Sequence, residues 1–173
     1  NGVQELRENS DNDDHLIKSS GTFTLSDCSF SLFAKYKGNN RNIKLSLGTG
    51  KYASFNLKDG YIFDIQSGTT AEIVKLSNGW YRCVINGNIS ASKLNIILLN
   101  DTNEVYQGDG ASGIYVWGAQ LEAGSYPTSY IPTSGSTVTR VAETAINSGN
   151  SEVFNDSEGV LMIESNFLSE SLS

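Results

Sequence analysis

Short apolar runs, each a few residues long and closed by turn chemistry, constrain this chain more than any other feature. From residue 21 onward the sequence reads GTFTL, CSFSLFAKY, RNIKLSLG, YASFNL, YIFDIQ, AEIVKLS, GWYRCVI, KLNIILLN and GIYVWGAQLE. Between them stand GNN, GTG, KDG, SGTT, SNG and NGN. Gly, Asn and Asp supply the backbone angles that tight hairpins need, and the runs are too short and too close for helices. Nine strand candidates at this spacing, with no period of 3.6 between them, predict an all-β fold. The architecture expected is a two-sheet antiparallel β-sandwich of the jelly-roll kind.

Composition agrees and narrows the partners. The 173 residues suffice for one domain with a real core, and 17 glycines against two prolines suit many turns. The formal net charge is −7, and the densest basic grouping is the KYK of residues 35–37. A surface that neutralises phosphates needs clustered Lys and Arg, so neither nucleic acid nor an anionic membrane is an expected partner. No apolar run approaches the roughly 18 residues of a membrane helix, which argues against membrane insertion.

Shifts in character divide the chain into three regions. Residues 1–20, with DNDD at 11–14, read as an acidic N-terminal arm carrying little core. Residues 21–142 form the β-sandwich. Within them, 124–140 are rich in Ser, Thr, Gly and Tyr, with Pro127 and Pro132 barring a central strand. Residues 143–173 read as a linker and the start of a following, truncated β domain, because VLMIESNFL at 160–168 is again strand-like.

Catalytic chemistry finds little support. The one histidine, His15, falls in the acidic arm, and HExxH, CxxC, P-loop and GxSxG patterns do not occur. Carboxylate pairs for glycoside hydrolysis could be drawn from Asp59, Asp64, Asp101, Glu104, Asp109 and Glu122, as from any acidic protein. The expectation is therefore no enzyme. Cys28 and Cys83 lie in apolar runs without metal-ligand spacing and read as buried free thiols.

Alternation along the strands points instead to a binding face. Successive side chains point to opposite sides of a sheet, so a charge marks the wet side. In FSLFAK, Phe30, Leu32 and Ala34 read as core, leaving Ser31, Phe33 and Lys35 outward. In WYRCVI, Tyr81, Cys83 and Ile85 turn inward, leaving Trp80 and Arg82 outward. In IYVWG, Ile114 and Val116 turn inward, leaving Tyr115 and Trp117 outward. The candidate site is thus Trp80, Arg82, Trp117, Tyr115, Lys35 and Phe33. Flat aromatics beside hydrogen-bonding groups suit a sugar ring, whose C–H face stacks while its hydroxyls seek partners. Asp109, between glycines in YQGDGASG, and Glu122 are candidate oxygen ligands for a structural Ca²⁺, although a glycine-rich turn with one aspartate is also simply a turn.

Three stretches go beyond pattern: NGWYRC at 78–83, GDGASGIYVWGAQLEAGSYPTSYIPTSGSTVTR at 108–140, and FSLFAKYKG at 30–38. Over residues 21–142 the chain resembles the jelly-roll carbohydrate-binding-module-like domains of bacteriophage tail and head-fibre proteins and of bacterial polysaccharide-active proteins. The resemblance implies a non-catalytic module that binds a cell-surface or matrix polysaccharide, on a virion surface or outside a cell. It also implies that GSYPTSYIPTSGSTVTR is an exit ribbon along the domain, which removes Tyr126 and Tyr130 from the expected site. The competing expectation is a fibre domain that assembles as a homotrimer and buries the same aromatics between copies.

Overall fold

The computed structural model describes residues 2–133 and 136–139. The chain divides after Ser136 into two units, and the first of them holds the sandwich. Two antiparallel sheets make up this all-β unit. The eleven strands are β1 (Gln4–Arg7), β2 (Asn12–Lys18), β3 (Phe23–Tyr36), β4 (Arg41–Ser46), β5 (Tyr52–Asn56), β6 (Tyr61–Ile65), β7 (Thr70–Lys75), β8 (Trp80–Ser92), β9 (Asn95–Asn100), β10 (Val105–Gln107) and β11 (Gly113–Ala123). One sheet has the order β1-β11-β3-β8-β7 and the other β10-β2-β9-β4-β5-β6. Early strands pair with late ones, β2 with β9 and β3 with β8, in the nested winding of a jelly roll.

The nine apolar runs account for eight strands, because GTFTL and CSFSLFAKY merge into the fourteen-residue β3. Register shifts at Phe23/Leu25 and Leu25/Cys28 mark bulges that absorb the polar Ser26 and Asp27 without ending the strand. The turns obey their chemistry. Asn39, Asn40, Asn78 and Asp101 take positive φ, where a short side chain that can bond its own backbone is tolerated.

The core lies between the sheets. Phe30, Leu32 and Ala34 of β3, Cys83 and Ile85 of β8, and Ile114 and Val116 of β11 face Ile43 and Leu45 of β4, Ala53 and Phe55 of β5, and Leu98 of β9. Cys28 and Cys83 are free thiols within this layer, as expected. Burial pushes the thiol pKa of both upward, with Asp27 adding to the effect at Cys28.

Residues 1–20 are not an arm. β1 forms one edge of the five-stranded sheet and β2 lies second in the other. Leu6 belongs to the core, and Glu8 and His15 are buried. The acidic residues mimic an arm because Asp11, Asp13 and Asp14 sit on exposed positions in and beside a strand whose outer side only the three-residue β10 borders. His15 packs its ring 4.5 Å from that of Tyr106 and donates from Nε2 to the Tyr106 carbonyl at 3.3 Å. The expected following domain at 143–173 lies outside the described residues.

Candidate functional site

Strand register decides which outward side chains of the five-stranded sheet become neighbours. Tyr115 pairs with Lys35, and Lys35 with Trp80, while Glu5 of β1 extends the row beside Tyr115. The next row is Trp117, Phe33, Arg82 and Val74. The six residues expected on the wet face thus occupy two adjacent rows, and all six are half-buried. Rows stand two residues apart along the strands, about 7 Å, and neighbours within a row are about 4.8 Å apart.

The two rows differ in what covers them. Trp117 and Phe33 stack with ring centroids 4.1 Å apart and planes at 10°, and Tyr130 meets both edge-on, at 5.3 Å and 6.4 Å. Arg82 holds its guanidinium 5.7 Å from the Phe33 ring and donates from Nη2 to the Thr128 carbonyl and to Ser31 Oγ. The expected exit ribbon therefore lies across this sheet as a strap, residues 125–131. Tyr130 packs within the cluster, and Tyr126 stands 71% exposed.

Two side chains near the end of β11 hold the strap. Glu122 accepts from the Thr128 amide at 3.0 Å, from the Thr128 hydroxyl, and from Gln120 Nε2 at 2.7 Å. Gln120 Oε1 accepts from the Ile131 amide at 2.8 Å. Partial burial alone would raise the Glu122 pKa, but donation from Thr128 and Gln120, with the nearby Arg82 charge, brings it below the ordinary carboxylate value. Gln120 and Glu122 continue the outward rows, opposite Ser31 and Ser29. Beneath this cover Ser29, Ser31 and Val84 are buried although they point away from the core.

A bulge makes this possible. The β11 register shifts between Trp117 and Gln120, and Gly118 at its centre has φ +62°. A Cβ there would meet the Phe33 ring at 2.9 Å, so only glycine lets the ring stack close over the bend. Alternation in the sequence places Trp117 and Phe33 correctly on the outward face. It cannot show Gln120 and Glu122 as strap anchors, because the bulge resets the phase after Trp117.

Asp109 and Glu122 do not form a joint metal site. Asp109 precedes β11 and Glu122 lies at its far end, so an eleven-residue strand separates them. Asp109 closes its own turn, accepting from the amides of Ala111 (2.7 Å) and Ser112 (2.6 Å) and from the Ser112 hydroxyl. Those donors, Ser112 foremost, hold its pKa well below the usual aspartate value. No cluster of three or more metal-ligating side chains occurs among the described residues.

At the same end of the sandwich is a polar network that no motif announced. Glu8, with its side chain wholly buried, receives Arg41 Nε at 2.5 Å and Nη2 at 2.8 Å, the Tyr106 hydroxyl at 2.8 Å and the Asp109 amide at 2.8 Å. Arg41 Nη1 donates to the Asn39 carbonyl and to Asn100 Oδ1. Its members come from separate stretches of chain, and the Glu8 and Arg41 charges match. It reads as a structural clasp between the sheets. Neither the scan against protein-family models nor the search of curated proteins finds a match to this chain.

Proposed function

We propose that this chain is a non-catalytic carbohydrate-binding module. It recognises a cell-surface or matrix polysaccharide as part of a phage adhesion fibre or of a multidomain polysaccharide-active protein. The observation that carries the reading is the Tyr115–Lys35–Trp80 row. Two half-buried aromatics flank a cation across roughly 10 Å of sheet, and the strap contacts described above fall on the neighbouring rows. A sugar chain lying across β11, β3 and β8 would stack on Trp80 and Tyr115 and bond its hydroxyls to Lys35. Trp117 and Phe33, stacked under Tyr130, then serve as the floor that holds the row in place.

A second reading is favoured by the β7 side of the face. Val74 and Leu76 are each 38% exposed beside Arg82 and Trp80, which extends the apolar surface to the sheet edge. Such a surface also suits burial against sister chains in a fibre, as in a homotrimer. A glycan-array screen of the purified chain, with Trp80→Ala alongside and mass measured by analytical ultracentrifugation, separates the two. A monomer that binds a defined glycan class, with binding lost in a folded Trp80→Ala variant, is the expected result. A trimer with shielded Trp80 and no glycan bound would replace this reading with assembly.

A further inference from the structure

Among the described residues every buried or half-buried cation except Lys35 has a polar partner. Arg41 and Lys44 form ion pairs with Glu8 and Glu104, and Lys51 donates to the carbonyls of Ser67 and Gly68. Arg82 donates to Ser31 and Thr128, both neutral acceptors, and its Nε is buried without a partner. Lys35 is half-buried with neither ion pair nor hydrogen bond among the described residues. The one carboxylate in its row, Glu5, is taken by Lys37 at 2.6 Å. The Lys35 stem runs toward the turn that introduces Trp80, since a Cβ on Gly79 would lie 3.8 Å from Lys35 Cε.

In a chain of net charge −7, in which carboxylates outnumber cations, this ammonium is left without one. An ammonium with no anionic partner in the protein can donate a charge-assisted hydrogen bond to an anion that arrives. We propose, building on the carbohydrate-binding reading, that the ligand is an anionic polysaccharide whose sugar carries a carboxylate or sulfate. Its ring stacks on Trp80 while the acidic substituent accepts from Lys35. Arg82 stands in the next row, where its charge also acts on Glu122. No covalent step is involved.

The test uses the whole chain against an array holding neutral, uronate-bearing and sulfated glycans, with Lys35→Gln, Lys35→Arg and the exposed control Lys58→Gln, each checked by its melting temperature. The expected hits are acidic glycans. Lys35→Gln should weaken them by about tenfold or more, the usual worth of a charged hydrogen bond. Lys35→Arg should keep most of the binding, Lys58→Gln should leave it unchanged, and added salt should weaken the native chain more than Lys35→Gln. Uronate-only or sulfate-only hits identify the substituent. Hits confined to neutral glycans, or acidic binding indifferent to Lys35→Gln, would overturn the anionic class while the glycan reading stands. No glycan bound at all, with Trp80→Ala without effect, would remove both.

Discussion

Glu8 carries more consequence than any other single side chain of the sandwich. It is a buried carboxylate whose desolvation alone would raise its pKa, yet donation from Arg41, the Asp109 amide and Tyr106 brings it below the ordinary glutamate value of 4.5. Arg41 is raised in turn, first by its bond to Glu8. A carboxylate with a depressed folded pKa contributes stability that is fully present above the unfolded value and lost as pH falls through the folded one. Glu8, Asp109 and Glu122 all shift in this direction. The melting temperature should therefore hold near neutrality and fall steadily below about pH 4.5. Glu8→Gln should cost about 3–5 kcal/mol, because it leaves the Arg41 charge buried and uncompensated. It should also flatten the acid limb of the profile, and thermal melts of both proteins from about pH 3 to 8 check this. None of it was legible in the sequence, since Glu8 and Arg41 lie 33 positions apart and no local pattern links them. Lys35, Trp80 and Tyr115 were legible, because the alternation that turns them outward, marked by Lys35 itself, by Arg82, and by Ile114 and Val116, needs only their own strands.

At the scale of elements, the strap and β11 act together. β11 supplies a stack of Trp117 on Phe33, a glycine bulge, and two anchoring side chains, and the strap returns Tyr130 onto the stack. Tyr130→Ala should remove an edge-on partner from both rings and uncover part of Trp117. In a Trp80→Phe background, which leaves Trp117 as the reporter, tryptophan emission should move to longer wavelength. Stability should fall by about 1–3 kcal/mol, read from denaturant midpoints. Unchanged emission would mean that Trp117 is shielded without the strap. The ribbon's course over the face was legible from its prolines and hydroxyls, which bar a central strand. Its anchoring was not, because residue type alone offers Glu122 and Asp109 as metal ligands, and only the strand between them shows that they serve separate turns. β1, β2 and β10 escape the pattern for a related reason. Each is short or charged at its exposed positions, so the alternation that marks a strand is carried by one or two inward residues such as Leu6, His15 and Tyr106.

For the whole molecule, the class of fold was written in the turns, and one side of the core is the inward half of the alternation on β3, β8 and β11. Cys28 and Cys83 probe the integrity of that core. Both are fully buried and their thiols are shifted toward the protonated form, so neither should react with a thiol reagent while the protein is folded. Both should react together on unfolding, and a reaction with one thiol at native conditions would reveal local opening at that site. The pairing of β1 with β11, and of β2 with β9 and β10, also sets the order of events during synthesis. β1 and β2 emerge from the ribosome well before the strands they pair with. Their partners lie roughly a hundred residues downstream, which at ~5–20 residues per second is a wait of about 5–20 s. Until β11 appears, β3 keeps an open edge able to recruit the wrong strand. Folding of this sandwich therefore waits on β11, and its most hazardous interval is the one just before translation reaches Ala123.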